Sequence, residues 1–287
     1  MPSLADLIRA FNRSDGLATG ELVDEGGRAT ARFAGLTLAS AFQPIVNVEK
    51  QRTMGHEALL RVTSATAEAM PPAAAFDRST ESADIVGLDR LARILHALNF
   101  LAQRQRAGGY LYLNVHPRHM KAVSTHHGLV FEAILKRCGL APADIVLEVQ
   151  ESEIEDDAHL MAAVGNYRQR GYLIAIDDFG WRHCNLDRLW RLQPEIVKLE
   201  GGMIAAAVED ERVAIALARL VDIAHALGAT VVVKGVETTA QLTAARQAGA
   251  DLVQGYLLGE PAPECRPTHG GADVAYNPVI HARGNKQ

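Results

Sequence analysis

Cysteine is scarce in this 287-residue chain: Cys138, Cys184 and Cys265 are all there is, and no two stand at the short spacing of a zinc site or a redox pair. That excludes a disulfide scaffold, suits a reducing compartment and leaves the three thiols as packing residues. Long apolar runs are also missing. Met1 to Phe11 has no sustained hydrophobic segment, and no later run approaches the roughly 18 residues of a membrane span, so no span is expected and the chain reads as cytoplasmic. Basic charge is not in excess: 29 Lys and Arg against 34 Asp and Glu give a net charge of -5, which argues against DNA as a partner. A Gly-x-Gly-x-x-Gly turn after the first candidate strand is lacking too, which counts against a dinucleotide-binding doubly wound sheet. What is present is apolar mass: 48% hydrophobic residues, enough for a large core.

Short β-rich runs alternate with helical stretches, the pattern of a parallel sheet covered by helices. Candidate strands are Leu38 to Val46, Gly55 to Val62, Tyr110 to Val115, Ile145 to Val149, Leu173 to Ile176, Ile196 to Leu199, Thr230 to Val233 and Leu252 to Tyr256. Leu88, Leu91, Leu95 and Leu98 recur at helical spacing, as do Val213, Leu217, Leu220, Ala224 and Leu227, with Gly228 as a stop. Eight strand-helix units predict a single-domain α/β fold, a TIM-like (β/α)8 barrel.

In such a barrel the chemistry sits at the C-terminal ends of the strands. Glu57, Asn114, Glu148, Asp177, Asp178, Lys198, Lys234 and Gln254 fall there. Any one of them reads more simply as a helix cap or a salt-bridge partner. Several carboxylates converging on one axis are different, because they repel unless something positive joins them. A hard divalent cation, Mg2+ or Mn2+, would relieve that repulsion.

Phe42-Gln43-Pro44-Ile45-Val46 and Gly55-His56-Glu57-Ala58-Leu59-Leu60-Arg61 closely resemble the opening of the EAL domain, the cyclic di-GMP phosphodiesterase family. The likeness continues in order through Leu113-Asn114-Val115-His116-Pro117, Leu147-Glu148-Val149-Gln150-Glu151, Ile176-Asp177-Asp178-Phe179-Gly180, Val197-Lys198-Leu199-Glu200, Gly235-Val236-Glu237-Thr238 and Gln254-Gly255-Tyr256-Leu257. The resemblance implies a barrel that opens one phosphodiester bond of cyclic di-GMP to give pGpG with Mg2+ or Mn2+. It implies that Glu57, Asn114, Glu148 and Asp177 hold a first metal, with Asp177 bridging to a second metal also held by Asp178. Lys198 would orient the attacking water and, with Glu57, form the catalytic core. Gln254 would belong to the hydrogen-bond shell, Gln43 and Arg61 would contact the dinucleotide, and Glu151 would anchor a loop. Arg61 suits a phosphate because its guanidinium donates two parallel bonds.

Two departures qualify the resemblance. Lys234 stands where the family usually has a glutamate ligand of the second metal. Ammonium cannot ligate a metal, but it can pair with Asp177 or Asp178 and fill the cation's place; alternatively it extends to solvent and water replaces the lost ligand. One metal is therefore expected and the second is in question. Trp181-Arg182-His183-Cys184-Asn185 replaces the family's Thr-Gly-Tyr-Ser-Ser, exchanging a compact loop for bulky side chains and putting the family dimer in question. Gln150 for the usual threonine and Glu200 for the usual aspartate are milder changes.

His126-His127 reads as a solvated loop, His116 as structural as readily as functional, and Trp181 as a base-stacking or a protein-contact residue. Residues 1–35 are expected to form an appendage, 36–262 the EAL domain and 263–287 a flexible tail. Three functions follow: a cyclic di-GMP receptor with impaired hydrolysis that regulates a protein partner, as a monomer or a non-family dimer; an active phosphodiesterase; or a scaffold that only binds proteins. The surviving Gln43, Arg61 and first-metal ligands favour the first.

Overall fold

A computed structural model describes residues 3–13, 20–79, 81–123, 128–150, 153–180 and 185–266. Its strands are β1 (Glu21–Asp24), β2 (Ala29–Phe33), β3 (Leu36–Asn47), β4 (Thr53–Thr63), β5 (Ala69–Met70), β6 (Tyr110–Asn114), β7 (Ile145–Val149), β8 (Leu173–Phe179), β9 (Ile196–Leu199), β10 (Thr230–Val233) and β11 (Leu252–Val253). Between and around them lie α1 (Leu4–Asn12), α2 (Ala73–Asp77), α3 (Ser82–Leu101), α4 (Arg104–Ala107), α5 (Pro117–Ala122), α6 (Leu129–Cys138), α7 (Asp157–Gln169), α8 (Leu186–Leu192), α9 (Gly201–Glu209), α10 (Glu211–Ala226) and α11 (Thr239–Gln247).

Eight strands, β3, β4 and β6 to β11, close into a barrel, with β11 pairing back onto β3. This is the expected TIM-like barrel with one correction to its eight strand-helix units. Strand β3 runs antiparallel to both its neighbours, whereas the other barrel pairs are parallel. The cause is the short link from Asn47 to Thr53: Asn47 accepts from the Lys50 N–H at 2.7 Å and closes a turn, and so few residues cannot hold a crossover helix. The last strand is shorter than expected, because Gly255 already turns the chain; a Cβ there would collide with the backbone of Val236. Strands β1, β2 and β5 extend the sheet beyond the barrel, β2 onto β3 and β5 onto β4. The segment expected as an appendage supplies α1, β1 and β2, with Leu7, Ile8 and Phe11 of α1 buried.

Strand alternation produces two apolar layers. One barrel face carries Ile45, Met54, Tyr110, Tyr112, Val146, Leu173, Ala175, Ile196, Val232 and Leu252, which pack on each other in the interior. The other faces the helices, where Leu88, Leu91, Leu95 and Leu98 of α3 are fully buried. Helix α10 ends at Ala226 with Leu227 as its cap, and Gly228 follows with φ +84, the left-handed stop its position in the sequence predicts.

One charged cluster is buried beside the barrel. Asp89 pairs with the Arg93 guanidinium, accepts the His116 backbone N–H at 3.0 Å and lies 3.2 Å from His119 Nδ1. Burial alone would raise the Asp89 carboxyl, but Arg93 and His119 outweigh it and hold it below the usual carboxylate range. Its contribution to stability is therefore complete above the unfolded value near 4 and is lost as pH falls further. Urea midpoints should decline on the acid side of pH 4, and Asp89→Asn should flatten that decline. An acid limb unchanged by the substitution would assign the titration to other groups.

Candidate active site

Six of the candidate residues sit two positions beyond a barrel-interior residue on the same strand face. Tyr112 leads to Asn114, Val146 to Glu148, Ala175 to Asp177, Ile196 to Lys198, Val232 to Lys234 and Leu252 to Gln254. On β3, which runs the other way, Gln43 precedes Ile45 by two and pairs with Glu57 of β4. The polar layer thus caps the apolar one, as period-two strands in a closed barrel require.

Lys198 is its centre. The side chain is 0% exposed; Nζ donates to Glu57 Oε2 at 2.7 Å and to Glu148 Oε1, and lies 3.9 Å from Asp177 Oδ1. Glu57 is the most engaged acceptor, taking bonds from Lys198, from Gln254 Nε2 at 2.7 Å and from Asn114 Nδ2 at 3.2 Å. Gln254 also donates to Gln43 Oε1 at 3.1 Å. Gln43 in turn reaches the Gly259 carbonyl, so its carboxamide is used within the barrel mouth.

Burial would raise the Glu57 carboxyl, but the Lys198 and Lys234 charges and the hydrogen bonds it accepts bring it down to about 2. Glu148 goes the other way: burial and the neighbouring Glu57 charge push it well above the usual range despite Lys198. Burial opposes the charge on Lys198, yet Glu148, Glu57 and Asp177 raise it. Glu57 and Lys198 are therefore a buried ion pair, and Glu148 beside them resists ionising. Glu148 Oε2 is buried without a hydrogen-bond partner.

Lys234 binds the other pair of carboxylates. Its Nζ donates to Asp177 Oδ1 and to Asp178 Oδ1, both at 2.7 Å. Adjacent strand residues normally point to opposite faces. Here β8 breaks register between Ile176 and Phe179, and Asp178 takes φ +56, a left-handed conformation unusual for a side chain other than glycine. The bulge turns Asp178 back toward Asp177, so one ammonium reaches both. Asp178 Oδ2 accepts from Gln150 Nε2 at 3.3 Å. After Lys234 the backbone turns at Gly235, φ +71, where a Cβ would come within 2.8 Å of Gly201 Cα.

Arg61 is on the rim. It is exposed, its guanidinium donates to the Leu60 carbonyl at 3.3 Å, and it lines a cleft of about 260 Å³ together with Asn114, His116 and Gln150. The expected phosphate-binding side chain is thus outside the polar layer but on a cavity that adjoins it. His116 stacks on Phe76 with ring centroids 3.9 Å apart and accepts the Arg118 N–H through Nδ1 at the start of α5. Glu237 and Thr238 open α11: Thr238 caps it, and Gln241 Oε1 accepts both their backbone N–H groups. Glu151, His126, His127 and Trp181 to Cys184 lie outside the described residues. Two further features bear on the site: the reach of Gln150 to Asp178 and the place of Tyr112, whose ring centroid is 5.8 Å from Lys198 Nζ. Strand parity signals the position of Tyr112; nothing signals the bond of Gln150, which depends on the bulge in β8.

Comparison with known proteins agrees with this architecture. The EAL domain sequence pattern matches residues 29–261. The cyclic di-GMP phosphodiesterase RocR of Pseudomonas aeruginosa is 27% identical over 269 residues, covering 92% of this chain and 62% of RocR. The probable cyclic di-GMP phosphodiesterase PdeA of Escherichia coli is 34% identical over 131 residues, 45% of this chain and 18% of PdeA. The chain therefore spans less than two thirds of the length of these relatives. Among solved structures, the phosphodiesterase MucR of Pseudomonas aeruginosa in complex with cyclic di-GMP superposes with a TM-score of 0.68 at 27% identity, over 79% of this chain and 92% of that one. With its family pattern over most of its length and the barrel to match, the chain belongs to the EAL domain family.

Proposed function

We propose that this EAL domain binds cyclic di-GMP and hydrolyses it slowly or not at all, acting as a receptor that regulates a protein partner. The observation that carries the reading is the pair of 2.7 Å bonds from Lys234 Nζ to Asp177 and Asp178. Two-metal hydrolysis needs cations on both the attacking and the leaving oxygen. On this reading the ammonium of Lys234 stands in the second of those places.

The two metal positions differ in their fit. Glu57, Asn114, Glu148 and Asp177 offer hard oxygen donors in one layer, and Glu148 Oε2 has no hydrogen-bond partner. These residues would hold one Mg2+ or Mn2+, which when bound polarises a phosphoryl oxygen. The second position does not fit, because Asp177 and Asp178 close on Lys234. Among the described residues no three acidic, histidine or cysteine side chains already stand as a metal cage, so a first ion would have to share Glu57 and Glu148 with Lys198 and draw on the unpartnered Glu148 Oε2. Charge gives the same count. With all four carboxylates ionised, Glu57, Glu148, Asp177 and Asp178 against Lys198 and Lys234 leave a formal charge of -2, which one divalent ion neutralises; Glu148, which resists ionising, would give up its proton as the ion binds.

Residue roles follow from these positions. Arg61 on the cleft rim, held among the described residues only to the Leu60 carbonyl through Nη1, would take a phosphate in a bidentate fork, Gln254, itself bonded to Gln43, orients Glu57, and Lys198 holds Glu57 and Glu148 in place. The chain should bind cyclic di-GMP in calorimetry with Mn2+ present, and Arg61→Ala should weaken binding roughly tenfold, the loss of one charged hydrogen-bonding group. No heat at high micromolar ligand would favour the scaffold reading instead. Among the described residues no helix is long and apolar enough to cross a membrane.

A further inference from the structure

We infer that Lys234 does more than fill a vacated metal position: its ammonium is itself a phosphate-binding group, so that one divalent ion and one lysine together hold the phosphodiester. The inference rests on the cyclic di-GMP reading above and adds a contact to it. An ammonium group has three N–H donors. Two are taken, by Asp177 Oδ1 and Asp178 Oδ1 at 2.7 Å each, and the third has no partner among the described residues. The side chain is 22% exposed, whereas Lys198, which could offer the same charge, is 0% exposed and enclosed by Glu57 and Glu148. Of the two buried-layer cations, only Lys234 can meet a ligand.

Its position is also held from a second side. Gln150 lines the cleft that carries Arg61, and its amide donates to Asp178 Oδ2, the oxygen Lys234 does not use. Asp178 is thus bonded on both oxygens, and it links the cleft wall to the lysine. The left-handed backbone at Asp178, φ +56, keeps the carboxylate turned toward Nζ. A lysine merely extending to solvent would need none of these contacts. A cation fixed between two aspartates, one of them bonded to a residue of the cleft that carries Arg61, is the arrangement expected for a bound phosphate oxygen. The same geometry assigns Gln150 as a positioning residue for Lys234 through Asp178.

The test is calorimetric titration of the full chain with cyclic di-GMP at fixed Mn2+, together with Mn2+ counted by equilibrium dialysis. Lys234→Gln should weaken binding about tenfold, and Lys234→Arg should keep most of the affinity, with one Mn2+ per chain in the parent. Gln150→Ala should weaken binding less than Lys234→Gln does, because the aspartates still hold Nζ. Thermal melting of each variant separates lost affinity from lost folding. Unchanged or tighter binding in a folded Lys234→Gln protein overturns the inference while leaving the receptor reading intact. No binding by the parent at any Mn2+ concentration overturns the receptor reading and this inference with it.

Discussion

Lys234→Glu should convert a chain that takes up one Mn2+ into one that takes up two, and should raise pGpG formation by about tenfold to a hundredfold. The substitution moves the formal charge of the layer from -2 to -4, the charge of two divalent ions, and frees Asp177 and Asp178 from the ammonium that now occupies both. Each 1.36 kcal/mol of transition-state stabilisation is tenfold in rate, so the expected gain corresponds to about 1.4–2.7 kcal/mol from the added cation. Full activity is not expected from this change alone. Gln150 still bonds Asp178, so restoring one position need not restore the rest of the site. Metal content by dialysis and product by chromatography decide the matter. An unmodified protein that already binds two Mn2+, or forms pGpG at about one turnover per second, the low end of ordinary enzyme rates, sinks the idea.

Lys198→Met should cost about 3–5 kcal/mol of folding stability, the usual effect of removing one partner from a buried ion pair. Lys198 is fully buried, and without it Glu57 and Glu148 face each other with no cation between them. At about 2–4 °C per kcal/mol for a chain of this size class, the melting temperature should fall by roughly 10 °C. Mn2+ should recover part of the loss, since a divalent ion is the other means of neutralising the two carboxylates. Glu148→Gln in the Lys198→Met background should also recover part, because Glu148 already resists ionising where burial and Glu57 press on it. A Lys198→Met protein that melts within a degree or two of the parent in a chelating buffer would show that the pair is not buried as described.

Fold legibility followed from periodicity. The strands from Tyr110 onward lie near their expected positions because each is a short apolar run whose alternation survives in a closed barrel. The direction of β3 was not legible: an apolar run reads the same whichever way it points, and only the pairing of β3 with β4 and β11 sets it. Strands β1 and β2 carry no clear signal in the sequence for a related reason. They are short pieces, Glu21–Asp24 and Ala29–Phe33, that become strands only because the outer part of β3 offers an edge to pair with.

The residue types of the site, and the fact that Asn114, Glu148, Asp177, Lys198, Lys234 and Gln254 share a face, were determined by the sequence alone. Strand alternation is local, and a two-residue period carries each of them to the same side as the interior residue before it. What only the tertiary structure decided is which charge meets which. Lys198 and Lys234 are chemically alike, yet one is sealed between Glu57 and Glu148 and the other bridges Asp177 and Asp178 near the surface. That division depends on neighbours contributed by strands far apart in the chain, on a bulge in β8 that no local propensity signals, and on the depth at which each ammonium sits. Electrostatic pairing is set by distance and burial, and both arise only when the barrel closes.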